Sequence, residues 1–328
     1  MRTTIKIATL ITGILLLAAC EKEIEFDGEM VEPMIVVNSL ITPDSVISVH
    51  LSKSKFFLSN KGGFDVVDNA EVSIYINRDF KEHLTFIEKG LYKGTIKPMV
   101  GDTIRIVAKV AGMEEVESTI MMQSPAIILR VDTTNIIKYK NEEYVNGELT
   151  AYTINADCEV KLRIKDNSEE QNYYRLSVKK RQQTTFDGVP SVYEYDMYFA
   201  LEGVDTQTGS IFNLFSDDGD TKYQHLITDE LFNGKEFIFR FKVEGLYYRE
   251  RVPGVSYEEN PRFSREESFI INLQTISRGM YLYLKSKESA DNVFGNIFAE
   301  PVQIYNNITN GIGIFGAYTN NQVPFKFE

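Results

Sequence analysis

Hydrophobic and polar residues alternate along much of the first third of the chain. The alternation is clearest in residues 72–76 and 103–108, where every second side chain is apolar. This pattern indicates strands that bury one face, and turn sequences such as Thr42-Pro43-Asp44 separate them. Strand candidates at this density predict an N-terminal β-sandwich over residues 33–122. Its strands are predicted at 34–41, 46–51, 70–76, 83–87, 103–110 and 116–121.

Three stretches of this region carry an architectural likeness. They are Asn69-Ala70-Glu71-Val72-Ser73-Ile74, Lys89-Gly90-Leu91-Tyr92 and Gly101-Asp102-Thr103-Ile104. In this order they resemble the prealbumin-like and immunoglobulin-like sandwiches found at the front of many surface proteins. The likeness implies an architecture and no activity, because unrelated functions share such sandwiches.

The pattern changes after Gln123-Ser124-Pro125, since proline interrupts sheet pairing and favours an extended link. Longer strands follow, whereas residues 277–289 show the spacing of a helix, for example at Met280 and Leu284. Residues 126–328 are therefore predicted to form a larger antiparallel β-domain with one short helix, and the fold class is all-β. Strands are predicted at 127–137, 148–154, 159–166, 173–181, 193–201, 237–243, 302–305 and 312–318.

Residues 1–19 are predicted to be a secretory signal peptide. Arg2 and Lys6 precede an apolar run at 7–17, and two alanines stand just before Cys20. The run is shorter than the roughly 20 apolar residues that a membrane-spanning helix needs. A cysteine after small residues is where lipoproteins are cleaved and joined to diacylglycerol by a thioether. Cys20 is therefore the predicted lipidation site, and its acyl chains would anchor the mature protein to a membrane.

Residues 20–32 are predicted to be a flexible tether, because polar and acidic residues leave little apolar surface to bury. The acids at Glu21, Glu23 and Glu25 resemble the surface-export signal of Bacteroidota lipoproteins. A solvated spacer with no export role would have the same composition. The protein is expected at the outer membrane, on either its periplasmic or its surface-exposed face.

Composition narrows the range of partners. The chain has 35 Lys and Arg against 47 Asp and Glu, and loss of Arg2 and Lys6 with the signal peptide leaves 33 against 47, a net charge of −14. Such a surface repels phosphate backbones, which argues against nucleic acid as a partner. With Cys20 lipidated, the remaining thiol of the sequence is Cys158, which is predicted to be buried and unreactive within a strand.

Several patterns resemble sites of known chemistry without meeting their requirements. The glycines of Gly311-Ile312-Gly313-Ile314-Phe315-Gly316 match a dinucleotide fingerprint, but only twelve residues follow and no helix fits there. We predict instead a last strand that packs closely on its neighbour. Asp217-Asp218-Gly219-Asp220 favours a turn, and a metal site there is the open alternative. The histidines are widely spaced, and the sequence predicts no cofactor and no catalytic residue.

Three Asp-Ser/Thr sequences resemble the O-glycosylation sites of exported Bacteroidota proteins. They place candidate sites at Ser45, Thr103 and Thr133. Aspartate beside serine or threonine is also common in turns, and the turn interpretation is favoured.

Five stretches resemble a single family over nearly the whole mature chain. Together they are similar to the domain-of-unknown-function 4249 family of Bacteroidota lipoproteins, and the closing stretch is the most specific part. Asn306-Asn307 stands where Ser-Asn is common, and Ile312 where Leu is common. The stretches are Cys20-Glu21-Lys22-Glu23-Ile24, Val36-Val37-Asn38-Ser39-Leu40-Ile41-Thr42-Pro43-Asp44, Asn172-Tyr173-Tyr174-Arg175-Leu176, Thr228-Asp229-Glu230-Leu231-Phe232-Asn233-Gly234-Lys235, and residues 300–308 with 311–318.

The resemblance implies an outer-membrane lipoprotein, often encoded beside a TonB-dependent receptor, with no established catalytic residues to carry over. We therefore expect a non-enzymatic binding accessory of such a receptor. A surface adhesin or structural module is the alternative, and an envelope enzyme assembled from distant loops is less favoured. The closing stretch is expected to be core, with Tyr305 and Phe315 burying their rings, and a ligand cleft there is the other interpretation.

Overall fold

The alternating segments of the sequence form strands. The computed structural model describes residues 32–56, 63–145, 147–186, 188–202, 224–251, 263–293 and 300–325. Cys20 and the stretch 217–220 lie outside the described residues, as do the signal peptide and most of the tether. The first eight strands are β1 (Ile35–Ile41), β2 (Ser48–Lys53), β3 (Glu71–Ile76), β4 (Asp79–His83), β5 (Thr85–Glu88), β6 (Leu91–Lys93), β7 (Thr103–Lys109) and β8 (Val116–Met121).

These eight strands pack as a sandwich. One of its sheets contains β1-β2-β6-β5, and the facing sheet has the order β4-β3-β7-β8. Alternate side chains enter the core, so that Ile35 and Val37 of β1 are 1% exposed whereas Leu40 is 49% exposed. The inward residues of β1 share one core with Ile74 and Ile104 of the facing sheet. The predicted N-terminal β-sandwich is confirmed.

The remainder of the described chain forms a second sandwich and a helix. One sheet contains β12-β11-β16-β17, with β14 also pairing β11, and the other has the order β13-β15-β10-β9. Its core is aromatic and aliphatic, with Leu162 and Phe239 facing Leu176 and Ile271. The elements are β9 (Ile127–Val145), β10 (Glu148–Lys165), β11 (Tyr173–Phe186), β12 (Val189–Asp196), β13 (Phe199–Glu202), β14 (Gln224–Thr228), β15 (Glu236–Arg251), β16 (Phe263–Ile276), α1 (Arg278–Val293) and β17 (Ile312–Phe325).

The last strand belongs to both sandwiches. The first half of β17 pairs with β1 in parallel, from Val36 beside Ile312 to Ile41 beside Ala317. Its second half pairs with β16 in antiparallel, from Ile276 beside Tyr318 to Phe269 beside Phe325. A nine-stranded sheet therefore runs through both sandwiches. The predicted division at 123–125 stays a prediction, and β17 pairs with strands on both sides of it.

Glycine allows β17 to approach its neighbours closely. Gly313 has a φ of +118°, and a Cβ there would overlap the carbonyl oxygen of Val37. A Cβ on Gly316 would lie 2.9 Å from Leu40 Cδ2 and 3.2 Å from Met280 Cβ. The glycine-punctuated last strand predicted from the sequence is confirmed.

Helix α1 covers the outer face of the shared sheet. Neighbouring residues of β11 point to opposite faces, so that Tyr174 enters the second core while Tyr173 packs with Met280 and Tyr281 of the helix. Ile276 of β16 belongs to the same small cluster. The helix predicted at 277–289 is confirmed and extends to Val293.

Several predicted strand boundaries are wrong, and β6, β14 and β16 were not predicted. The strand predicted at 83–87 is divided between β4 and β5, which lie in different sheets. Residues 148–154 and 159–166 form the single strand β10, which bulges around Asp157 instead of breaking. The strand predicted at 193–201 is divided between β12 and β13, which lie in different sheets. Residues 302–305 form no strand, because the closing segment bonds through side chains, as described below.

The close approach at Gly313 predicts an unequal response to alanine. Gly313→Ala should lower the free energy of unfolding by about 3 kcal/mol or more, since it adds a steric overlap to an unfavourable φ. Gly112→Ala is the matched control, because Gly112 has a φ of +79° but open space around its Cβ. It should lose only about 1–2 kcal/mol. Urea unfolding of the mature, unacylated chain measures both, and equal losses would contradict the close approach.

Candidate functional site

The closing segment, residues 300–311, joins the two sheets of the first sandwich through side chains. Asn307 Nδ2 donates to the carbonyl oxygen of Phe315 at 2.8 Å, and the Phe315 amide donates to Asn307 Oδ1 at 3.0 Å. The Asn307 side chain therefore pairs with β17 as a strand backbone would. On the other side, Ser118 Oγ of β8 donates to the Asn307 carbonyl at 2.7 Å.

Asn306 holds the turn that leads into β17. Its Nδ2 donates to the carbonyl oxygen of Gly311 at 2.9 Å, and its Oδ1 accepts from the Ile308 amide at 2.9 Å. The Tyr305 amide donates to Ser286 Oγ of α1 at 2.8 Å. These bonds to side chains replace the ladder that the predicted strand at 302–305 would have needed.

The start of α1 is tied to β17 by Ser277. Ser277 Oγ accepts from the Ala317 amide at 3.1 Å and from the Met280 amide at 3.4 Å, which is the pattern of a helix N-cap. The Ser277 amide also donates to the Ala317 carbonyl at 2.8 Å. The first turn of the helix is therefore fixed against β17, and its Gly279 lies beside Asn307 of the closing segment.

These elements surround a cleft of about 290 Å³, the junction cleft. It is lined by residues 119–121 of β8, by Gln123, by residues 277–279, and by Tyr305 and Asn307. Gln123 is 8% exposed, and its Nε2 donates to the Gln171 carbonyl at 2.9 Å. No hydrogen-bond partner among the described residues reaches Gln123 Oε1. The cleft therefore combines open space with a buried acceptor that lacks a donor.

Two further cavities lie elsewhere. One, of about 310 Å³, separates β1 from α1 and is mainly apolar, with Leu40, Met280 and Leu284 in its wall. The other, of about 540 Å³, opens beside the bulge of β10 and is lined by Cys158 and several acids. Cys158 is 2% exposed, and burial followed by the charges of Asp157 and Glu159 raises its pKa to about 12. The predicted burial of this thiol is confirmed, and it stays protonated at neutral pH.

A buried polar knot holds two loops of the second sandwich together. The Asn172 amide donates to Asp229 Oδ2 at 2.7 Å, and the Gly234 amide donates to Asp166 Oδ2 at 2.7 Å. The Tyr174 hydroxyl donates to Asp166 Oδ1, and burial raises the Tyr174 pKa. Burial likewise raises the pKa of the Asp229 carboxyl, which is fully enclosed. Two of the family-like stretches of the sequence meet in this knot.

The three candidate glycosylation residues lie apart from one another. Ser45 is exposed in the turn between β1 and β2, and Thr103 is exposed at the start of β7. Thr133 is half-buried on β9, where it pairs with Val160. The aspartate before Thr103 is buried and accepts from Asn77 Nδ2 at 2.9 Å and the Met99 amide at 2.8 Å, as the turn interpretation requires. Their modification stays a prediction.

The histidines are not brought together. His50 lies on β2, His83 on β4 and His225 on β14. His83 Nδ1 is 3.1 Å from Ser73 Oγ, but Ser73 is only 6% exposed and pairs with it across two strands. His225 Nε2 contacts the Phe199 carbonyl at 2.9 Å. Within the described ranges, no group of three or more histidine, cysteine, aspartate or glutamate side chains could hold a metal ion.

Sequence reasoning missed Gln123, Arg278 and Asp229 as notable residues. Gln123 had been assigned only to a linker, and Arg278 follows the helix cap without a motif of its own. Asp229 stood within a family-like stretch, and its burial could not be deduced because the partner loop lies 57 residues away. The sequence feature that could have pointed to these residues is that polar residues recur at the ends of apolar strands.

The raised pKa of Asp229 predicts how the stability of the chain depends on pH. The folded chain keeps a proton on this carboxyl at pH values where the unfolded chain has lost it, so the free energy of unfolding falls as pH rises from about 4. Asp229→Asn should remove that fall and gain stability relative to the parent at neutral pH. Asp79→Asn is the control, since Asp79 is 77% exposed. Urea unfolding from pH 4 to 8 tests this, and parallel profiles for the two variants would contradict it.

Comparison with known proteins places the chain in a family. No curated protein matches it. Among solved structures, one titled "Structural basis for the promiscuous specificity of the carbohydrate-binding modules from the beta-sandwich super family" matches with 9% identity and a TM-score of 0.19, over 71% of this chain and all of that one. The model of the domain of unknown function DUF4249 matches residues 21–323. The chain therefore belongs to the DUF4249 family.

Proposed function

We propose that the protein is a lipid-anchored, non-enzymatic binding accessory of a TonB-dependent receptor at the outer membrane. The sequence around Cys20 supports the anchor, and the described part of the chain has no helix long and apolar enough to cross a bilayer. The family resemblance supports the receptor as the partner. The observation that carries the proposal is the presence of exposed tyrosines at the end of the molecule opposite the start of β1.

The course of β17 shows that the start of β1 and the far part of the second sandwich lie at opposite ends of the molecule. Because β1 runs parallel to the first half of β17, the chain enters β1 at the end of the first sandwich that is remote from the second. β17 then leads into the second sandwich and ends at Phe325, beside Phe269. Beyond Phe269, the paired strands β16 and β11 extend six residues further in the same direction, where Phe263 pairs with Phe186. At about 3.3 Å per residue, the entry and that far pair are roughly 60 Å apart.

The far end consists of hairpins that extend beyond the second core. The β9–β10 and β11–β12 hairpins both lie there, because residues 166–172 join the other ends of β10 and β11. The strand residues that flank these two turns are the distal hairpins. They expose Tyr139 (54%), Tyr144 (59%), Tyr193 (51%) and Tyr195 (51%). Exposed tyrosines offer large contact area at low entropic cost, which favours a protein partner.

An anchor at Cys20 would hold the entry of β1 near the membrane. The tether, residues 20–32, reaches at most roughly 45 Å when fully extended. With it, the distal hairpins, roughly 60 Å from the entry of β1, could reach the extramembrane part of a partner. This arrangement suits an accessory that contacts the loops or plug of a receptor rather than the bilayer.

Copurification tests the proposal. The tagged full chain, solubilised from its native membrane in mild detergent after crosslinking, should recover a TonB-dependent barrel. Tyr193→Ser with Tyr195→Ser should lower that recovery about tenfold, since hot-spot aromatics each contribute more than about 1 kcal/mol. Phe64→Ser with Met99→Ser is the control, because these residues are 72% and 69% exposed on the first sandwich. Cys20→Ser should release the protein from the membrane fraction.

Two results would contradict this function. Recovery of no barrel after crosslinking would remove the receptor from the proposal and favour an adhesin or structural module. Equal recovery with both double variants would retain the receptor but remove the distal hairpins as the contact.

A further inference from the structure

Strand β8 has an open edge that faces the junction cleft. The amide of Met122, which directly follows β8, donates to the Asp102 carbonyl at 2.9 Å. Since strand residues bond alternately to either side, the backbone groups of the even-numbered residues of β8 point towards β7. The odd-numbered residues point the other way, and Glu117 exchanges hydrogen bonds with Thr309 at 2.9 and 3.4 Å. Thr119 and Met121 follow on the same side. No backbone hydrogen bond joins their outward groups to another of the described residues.

The closing segment leaves β8 at this point. After the Thr309 bridge, the Asn307 carbonyl turns to Ser118 Oγ and the Tyr305 amide turns to Ser286 Oγ. A strand that continued the pairing would have lain opposite Thr119 and Met121. The cleft occupies that place, so two N–H groups and two C=O groups remain available for another extended chain.

Positive charge lies at one end of this edge. Arg278 is exposed at the first position of α1, and no acidic side chain of the described ranges pairs with it. The helix has 16 residues and no acidic residue in its first turn. The partial positive charge of its N-terminus and the Gly279 backbone therefore face the cleft without a counter-charge.

Gln123 adds a polar side chain to the wall of the cleft. It is 92% buried in the wall of the cleft, and its Oε1 lacks a donor among the described residues. A peptide supplies N–H donors for the C=O groups of Thr119 and Met121, whereas a simple anion would leave them unpaired.

We propose that the junction cleft binds the carboxyl-terminal end of an extended peptide. The peptide adds a short strand to the edge of β8, and its terminal carboxylate accepts hydrogen bonds from Arg278 and the first turn of α1. The edge from Thr119 to Met121 spans roughly 7 Å, which pairs with two or three residues. Met121, 43% exposed, and the half-buried Tyr305 would contact an apolar last side chain. This inference is independent of the receptor partnership.

The test uses a defined probe and its chemical relatives. The probe is a tetrapeptide of three alanines followed by leucine, with a free carboxyl end, titrated into the isotopically labelled mature chain by NMR. We expect a Kd of about 1 mM or tighter. The C-terminal amide of the same peptide should bind about tenfold more weakly, because it loses the charge-assisted hydrogen bonds.

Protein variants separate the two parts of the site. Arg278→Gln should remove the preference for the free acid, while Arg78→Gln, an exposed arginine in the turn after β3, should leave it unchanged. Thr119→Pro should weaken acid and amide alike, since it removes an edge N–H that faces away from β7. If that variant does not fold, a probe N-methylated at its last two peptide bonds asks the same question of the parent chain.

Four results would overturn the proposal, and three of them concern affinity. These three are absence of binding by the free acid up to about 10 mM, equal affinity for acid and amide, and a preference that survives Arg278→Gln. Chemical-shift changes confined to the distal hairpins would also overturn it. Because the probe is a free peptide, its failure leaves the copurification result untouched, and failure to recover a receptor leaves the peptide result untouched.

Discussion

The parallel pairing of β1 with β17 is the contact on which the architecture depends. It joins residues 36–41 to residues 312–317, so most of the described chain lies between the two paired strands in sequence. The remaining half of β17 completes the sheet of the second sandwich, and α1 is tied to the same strand through Ser277. Loop-closure entropy opposes so distant a contact, although the opposition grows only slowly with loop length. Burial of apolar residues of both strands in the first core stabilises this contact, and Gly313 permits it because a Cβ there would overlap Val37. The bonds of Asn307 to Phe315 add to it.

Local patterns in the sequence were sufficient for most of the strands and the helix. Alternation at β3 and β7 reports a half-buried strand directly, and Met280 with Leu284 reports the buried face of α1. Pairing was not accessible in the same way. The alternation of apolar residues in β1 does not depend on whether its partner is parallel or antiparallel. The bulge around Asp157 interrupts the alternation in β10 without ending the strand, so the sequence pattern indicated two strands.

The closing segment shows why the candidate site was only partly predictable. Tyr305, Asn306 and Asn307 have the composition of a strand end, and apolar residues flank them, so a strand was expected. The asparagine side chains instead take the bonds that a ladder would supply, and this choice depends on partners in β17 and β8 that are remote in sequence. Sequence pattern located the segment as important. It did not distinguish a core strand from the wall of a cleft.

The junction cleft draws its walls from both sandwiches, which gives a bound peptide a role beyond recognition. β8 belongs to the first sandwich, whereas Ser277 and Arg278 follow directly from β16 of the second. A ligand that bonds to Thr119 and Arg278 at once would therefore connect the two bodies at the point where the closing segment departs from β8. Ligands that bind only the folded state stabilise it by mass action. Occupancy of the cleft would thus stabilise the folded arrangement of β8 beside the start of α1, where the two sandwiches meet.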